Sequence, residues 1–134
     1  QEYFLRAEAK GGLDSKEYLD ALANNHRYSR AEGLDQVITS NKLDALVAPS
    51  GTPASLTDFI RGDPGGASFT SPAAVAGYPH ITVPAGFVHG LPVGISFVGS
   101  AWSEGTLIRL AYAYEQATKH RRAPTYAKSL NLKA

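Results

Sequence analysis

The sequence predicts an α/β fold in which a few strands are flanked by helices. Three observations support this class. Helical signals dominate the first forty residues, and short apolar runs bounded by Gly and Pro follow between residues 43 and 98. An apolar stripe with helical spacing then covers residues 104–119.

A helix is predicted to begin near Ser15. Asp14 and Glu17 have the spacing of a capping box, and Leu13 and Tyr18 lie where a hydrophobic staple would form. This spacing therefore predicts where the helix starts.

A second helix is predicted over residues 26–41. The side chains of Asn24 and Asn25 compete with the helical backbone for hydrogen bonds, so we expect a pause between the two helices there. Its apolar positions are Leu34, Val37 and Ile38. Their helical spacing indicates a face that covers one side of a sheet.

Leu43 to Ala48 is a short apolar run that ends at Pro49. Because the run does not alternate with polar residues, it predicts a strand covered on both sides. Residues 49–70 are then rich in Gly, Pro, Ser, Thr and Asp. Loops of this length are usually functional or disordered, so the segment is either a substrate-facing wall or a surface excursion.

Residues 71–77 predict a short helix, with Pro72 in its first turn and Gly77 at its end. Two strands are predicted next, at Ile81–Val83 and Val93–Val98, and we expect them to pair antiparallel. Pro79 and Pro84 flank the first of these strands and are expected to confine it to a few residues.

The last predicted helix runs from Glu104 to Lys119, with Ser103 as its cap. Its apolar stripe consists of Leu107, Ile108, Ala111, Tyr114 and Ala117. This helix should pack on the sheet.

Composition excludes several classes of function. The net charge of +1 offers no reason to expect nucleic acid or an anionic membrane as a partner, and no run approaches the roughly 18 apolar residues that cross a bilayer. We therefore expect a soluble chain. The absence of cysteine excludes disulfides, thiolate nucleophiles and zinc–cysteine sites, but it does not identify a compartment.

Other candidate chemical groups favour structural interpretations. The four histidines are dispersed, so no metal site and no cofactor is predicted, and His80 is expected to be a hydrogen-bonded structural residue. Ser96 lies within a predicted strand and is interpreted as structural. Residues 63–66 could form an anion-binding nest, but a phosphate loop is not favoured. The basic residues 119–122 are expected to lie in the last turn of a helix, where positive side chains interact favourably with the negative end of the helix dipole.

Three segments together resemble the amidase signature enzymes. They are LDALVAPSGTPA at 43–54, FTSPAAVAGYPHITVPAGF at 69–87 and LPVGISFVGSAWSEGTLIRLAYAYEQA at 91–117. The resemblance implies that residues 1–134 are the C-terminal fragment of a single amidase domain and contribute a few strands of a mixed sheet. A helical section would occupy residues 1–42 and a strand-loop-strand-strand-helix section residues 43–134.

Enzymes of this family use a nucleophilic serine, a bridging serine and a lysine, which lie in a glycine- and serine-rich signature. No such run occurs in this sequence. No catalytic residue is therefore assigned to the chain, and we expect it to be inactive alone. The chain also begins at Gln1 and contains no methionine, so we expect its N-terminal half to be its missing partner.

The resemblance also implies which residues approach substrate. The substrate-binding candidates are Ser50, Gly51, Thr52, Phe69 and Thr70, while Asp58 and Asp63 are weaker candidates for meeting a substrate amine. Gly51 could instead only shape a turn. A sheet that lacks its remaining strands would also leave an open edge for self-association.

Three functions stay open on the sequence alone. The first is hydrolysis of a small carboxylic amide or a peptide C-terminal amide, which the likeness to peptide amidases favours. The second is the glutamine-using component of a transfer-RNA-dependent amidotransferase, but residues 65–68 lack the aspartate of that pattern. The third is a non-catalytic binding or assembly domain.

Overall fold

The computed structural model describes residues 1–62 and 65–126 and has the predicted α/β architecture. Its elements are α1 (Glu2–Glu8), α2 (Lys16–His26), α3 (Asp35–Ser40), β1 (Leu46–Pro49), α4 (Ser71–Ala76), β2 (His80–Val88), β3 (Leu91–Val98) and α5 (Glu104–Thr118). A wide-turned, kinked helical segment, Arg27–Leu34, joins α2 to α3.

The predicted start of α2 is confirmed. The backbone N–H of Tyr18 donates to the Ser15 hydroxyl oxygen at 3.3 Å, so the cap is Ser15 and not Asp14. Glu17 does not close a capping box, because it is the second residue after the Ser15 cap and the box needs the third; its carboxylate pairs with the Lys10 ammonium group at 2.6 Å.

The break between the helices lies later than predicted. Both asparagines at 24 and 25 are inside α2, and the backbone leaves helical geometry at Gly33 (φ −125°, ψ −110°). A Cβ at this position would lie 2.3 Å from the Tyr28 carbonyl oxygen. The kink therefore depends on the absence of a side chain at Gly33, which is a steric constraint that the asparagines do not impose.

The three described strands form one antiparallel sheet in the order β1-β3-β2. Leu46 and His80 both pair with Val98, on opposite sides of the central strand. The expected short β2 is wrong, since the strand continues past Pro84 through an irregularity between Pro84 and Gly86. β2 is an edge strand of the described sheet, and an edge tolerates proline because no ladder hydrogen bond is lost there.

Helix α5 packs on one face of the sheet. The buried cluster on this face consists of Phe97, Leu107 and Ala111. Tyr114 meets the ring of Phe97 edge-on, with centroids 6.1 Å apart. The other predicted stripe positions, Ile108 and Ala117, are exposed, because the sheet contacts a narrower stripe of the helix than the apolar pattern predicts.

The opposite face carries α4 and the segment that leads into α3. Leu34, Ala73, Ala76 and Val98 form the second buried cluster. Helix α4 has Pro72 in its first turn and stops at Gly77, as predicted, and Gly77 adopts a left-handed conformation (φ 69°). Val37 is 44% exposed, so only Leu34 and Ile38 of the predicted stripe are buried.

Strand β1 is not covered on both sides within the described chain. Its residues alternate between half-buried and exposed, and Val47 is 53% exposed. The prediction of a strand covered on both sides, which rested on the lack of polar alternation, is therefore wrong within the described chain.

The basic cluster does not form the last turn of α5. The helix ends at Thr118, and Lys119 is its left-handed C-cap (φ 50°). His120, Arg121 and Arg122 follow the helix, and the Arg122 guanidinium lies 5.0 Å from the centroid of the Phe87 ring. The helix-dipole explanation is therefore wrong for these three residues.

No helix in the described part of the chain has the length and hydropathy needed to cross a bilayer.

Candidate substrate-binding site

An apolar cavity of about 780 Å³ opens beside the end of β1. It lies between the two ends of the long loop and the β2–β3 hairpin. Its lining includes Pro49, Gly51, Thr52, Phe69, Val93 and Ile95. The size and the apolar surface match what small-molecule pockets generally require.

Hydrogen bonds close the base of the loop that forms the wall of this cavity. The Ser50 N–H donates to the Gly94 carbonyl at 2.9 Å, and the Phe69 N–H donates to the Ser50 carbonyl at 3.3 Å. Gly51 and Ser68 form an isolated antiparallel bridge. The two ends of the 49–70 loop are thus held side by side and against β3.

Three of the five predicted binding residues line the cavity: Gly51, Thr52 and Phe69. Ser50 and Thr70 do not line it. Ser50 lies behind the wall, and the Thr70 hydroxyl pairs with the Ser68 hydroxyl at 2.9 Å. Phe69 also packs against the cluster around Leu34, which holds its ring in place.

A cluster of three hydroxyl groups lies behind the wall, and the sequence did not reveal it. Ser96 is fully buried, and its hydroxyl donates to the Ser50 oxygen at 2.7 Å. The Thr82 hydroxyl lies 3.0 Å from the Ser96 oxygen. Only the register, in which Thr82 pairs with Ser96, could have pointed to this cluster.

His80 differs from the expectation of a hydrogen-bonded histidine. Its Nε2 atom is buried and has no hydrogen-bond partner among the residues that the structure describes. The same part of the chain contains no group of three or more His, Cys, Asp or Glu side chains that could hold a metal ion.

Asp58, one of the two acidic candidates, does not line the cavity. Asp58 accepts hydrogen bonds from the backbone N–H groups of Arg61, at 3.0 Å, and Ile60, at 2.9 Å. These bonds lower the pKa of the Asp58 carboxyl, the bond from Arg61 having the larger effect. Asp58 therefore organises its own turn, while Asp63 and the proposed nest at 63–66 include positions outside the described residues.

Comparison with known proteins identifies the family to which this chain is similar. The amidase family profile matches residues 4–108 of the chain. A probable amidase of Arabidopsis thaliana is 41% identical over 127 residues, which is 94% of this chain and 21% of that protein. The native peptide amidase from Stenotrophomonas maltophilia superposes with a TM-score of 0.83 and 48% identity, over 94% of this chain and 25% of that one.

A second group of relatives has a different activity in its name. A glutamyl-tRNA(Gln) amidotransferase component from Desulforudis audaxviator is 46% identical over 89 residues, covering 60% of this chain and 18% of that protein. The chain spans about a fifth to a quarter of the length of these relatives. With a family match over most of its length, the chain belongs to the amidase family.

Proposed function

We propose that this chain supplies sheet strands and one wall of the substrate pocket to an amidase. The reaction would convert a carboxylic amide or a peptide C-terminal amide to the acid and ammonia. The observation that carries the proposal is the cavity at the end of β1, where Gly51, Thr52 and Phe69 meet.

The chemistry of the wall supports an amide with an apolar substituent. Gly51 has no side chain, so a ligand can lie close to the backbone there, and the fixed Phe69 ring offers an apolar contact surface. Thr52 adds a hydroxyl that can donate to a carbonyl or accept from an amide N–H.

Catalysis would require further polypeptide. The chain has no serine-rich signature and therefore no Ser-Ser-Lys arrangement, so we propose that it is inactive alone and that its partner is the N-terminal half of an amidase. Large apolar side chains that the described fold leaves exposed support such a partner, among them Tyr28 (59%), Val47 (53%) and Val75 (47%).

Glutamine hydrolysis in a transfer-RNA-dependent amidotransferase is the second candidate. Its support is the 46% identity to the amidotransferase component of Desulforudis audaxviator. Against it stands the segment 65–68, Gly-Gly-Ala-Ser, which contains no acid where the amidotransferase pattern has an aspartate. At similar coverage the identity to peptide amidase is also higher, at 48% over 94% of the chain, against 35% over 93% for the amidotransferase component of Gloeobacter violaceus.

Ammonia release from the chain joined to an amidase N-terminal half tests these alternatives. The substrates are a peptide amide with an apolar C-terminal residue, a simple carboxylic amide and glutamine. We expect the peptide amide to be hydrolysed fastest. Preferential hydrolysis of glutamine would favour the amidotransferase, and no hydrolysis by a correctly assembled complex would favour a non-catalytic binding domain.

Two phenylalanines provide a matched pair of variants. Phe69→Leu trims the cavity wall while keeping an apolar group against the neighbouring core, whereas Phe59→Leu changes a ring that is 96% exposed. The first variant should raise KM for the peptide amide several-fold, and the second should leave it unchanged. Equal effects from both variants would contradict the assignment of Phe69 to the wall.

A further inference from the structure

We propose that Ser96 is a positioning residue that holds the wall of the substrate cavity in place through Ser50. The proposal deepens the proposed function, because it names a specificity-determining group behind the wall. Its structural part, the restraint of Ser50 and Phe69, is independent of any activity.

The hydroxyl cluster has a closed arrangement of hydrogen bonds. Ser96 donates to Ser50 at 2.7 Å, Ser50 lies 3.4 Å from Thr82, and Thr82 lies 3.0 Å from Ser96. With Thr82 donating to Ser96, each of the three protons has an acceptor within the cluster. The closed arrangement therefore needs no water.

Ser96 depends on these partners more than a surface serine would. Its accessible surface is 0%, and an unpaired buried hydroxyl is costly. The cluster also joins three parts of the chain, since Ser50 follows β1, Thr82 lies on β2 and Ser96 lies on β3. Its hydrogen bonds thus connect the wall loop to both neighbouring strands.

Gly94 makes the close approach of these groups possible. A Cβ at this position would lie 2.7 Å from the Thr82 methyl carbon and 2.8 Å from the Ser50 hydroxyl oxygen. The Gly94 carbonyl also accepts the Ser50 N–H. A residue with a side chain at position 94 would therefore push Ser50 and Thr82 away from β3.

Ser50 transmits this restraint to the cavity. Its carbonyl accepts the N–H of Phe69, and Gly51, the next residue, lines the cavity beside Phe69. If the Ser96 hydroxyl is removed, the Ser50 side chain loses its shortest hydrogen bond and both wall segments gain freedom. Substrate binding would weaken, while the reacting groups, which the chain does not contain, would be unchanged.

Ser96→Ala tests the proposal by two measurements on the assembled amidase. We expect faster hydrogen exchange at the Ser50 and Phe69 amides. We also expect KM for the peptide amide to rise about 2- to 12-fold, which corresponds to the loss of one hydrogen bond, with kcat little changed. In the double variant with Ser50→Ala, KM should be no higher than in the more affected single variant, because both changes act through one contact.

Ser103→Ala is the matched control. The Ser103 hydroxyl donates to the Ser100 carbonyl at 2.7 Å at the start of α5, and neither residue lines the cavity. This variant should leave exchange at Ser50 and Phe69, and KM, unchanged. If both variants raise the exchange rates and KM equally, the cause is a general loss of stability, and this result would count against a specific positioning role.

Unchanged exchange at Ser50 and Phe69 in Ser96→Ala would overturn the proposal, as would a fall in kcat at constant KM. If no amide is hydrolysed even by the unmodified assembly, the proposed function fails, but the exchange measurement still decides the role of Ser96. If Ser96→Ala does not fold, Thr82→Val removes the exposed partner instead. It should increase the same two exchange rates by a smaller factor, and no increase would overturn the proposal.

Discussion

The hydroxyl of Tyr78 donates a hydrogen bond of 2.8 Å to the carboxylate of Asp35, and this bond connects the turn after α4 to the start of α3. Arg30 reinforces the same junction, because its Nε donates to the Ala76 carbonyl at 2.7 Å and its guanidinium lies 5.7 Å from the Tyr78 ring centroid. Burial raises the pKa of Tyr78, and the hydrogen bond and negative charge of Asp35 raise it further.

Tyr78→Phe should destabilise the fold by about 1 kcal/mol at neutral pH through loss of this hydrogen bond. The raised pKa also predicts a pH dependence. The stabilisation is complete below the ordinary pKa of 10.0 and is lost as the pH rises through the higher pKa of the folded state. Denaturant unfolding at pH 7 and above pH 10 measures this effect. The unfolding free energy should fall less between the two pH values in Tyr78→Phe than in the unmodified protein. Tyr112→Phe, at a ring 63% exposed, should behave like the unmodified protein.

Gly33→Ala should destabilise the fold by about 2 kcal/mol or more, because the new methyl group would collide with the Tyr28 carbonyl. Gly105→Ala is the control, since nothing lies within 4 Å of its added Cβ and the position is in α5. Alanine there should be neutral or stabilising. Thermal unfolding compares the two variants, and equal melting temperatures would show that the kink tolerates a side chain.

Leu107→Ala should cost about 2–5 kcal/mol, because it leaves a cavity between α5 and the sheet where Leu107 is 1% exposed. The adjacent Ile108 is 59% exposed, and Ile108→Ala should change the unfolding free energy by no more than about 0.5 kcal/mol. Urea unfolding measures both. A large cost at Ile108 would indicate that another surface covers this side of the helix.

Val47→Lys tests whether the sheet edge at β1 mediates self-association. β1 pairs with β3 on one side, and Val47 is 53% exposed. A lysine on an edge strand opposes pairing with a second copy, so sedimentation should show less concentration-dependent association than for the unmodified chain. Lys42→Ala changes a charge before the strand and should have little effect. Association that is unaffected by Val47→Lys would exclude this edge as the interface.

Local sequence signals predicted those elements whose ends depend on nearby residues. Ser15 begins α2, and Pro72 and Gly77 bound α4, because capping and backbone preferences act over a few positions. Local signals also predicted the helix break at Asn24 and Asn25, although it lies at Gly33, and they predicted too short a β2. Those outcomes depend on a contact with the Tyr28 carbonyl and on the edge position of β2, and neither is visible in a local pattern.

The sequence by itself determined the family, the α/β class and the absence of a serine-rich catalytic signature, since these are properties of residue order. Only the tertiary structure decided which candidates face the cavity, and it separated Gly51 and Phe69 from Ser50. It also revealed the contact of Ser50 with Ser96, forty-six positions away. The physical reason is strand register: a shift of one residue in β3 would turn Ser96 to the opposite face of the sheet.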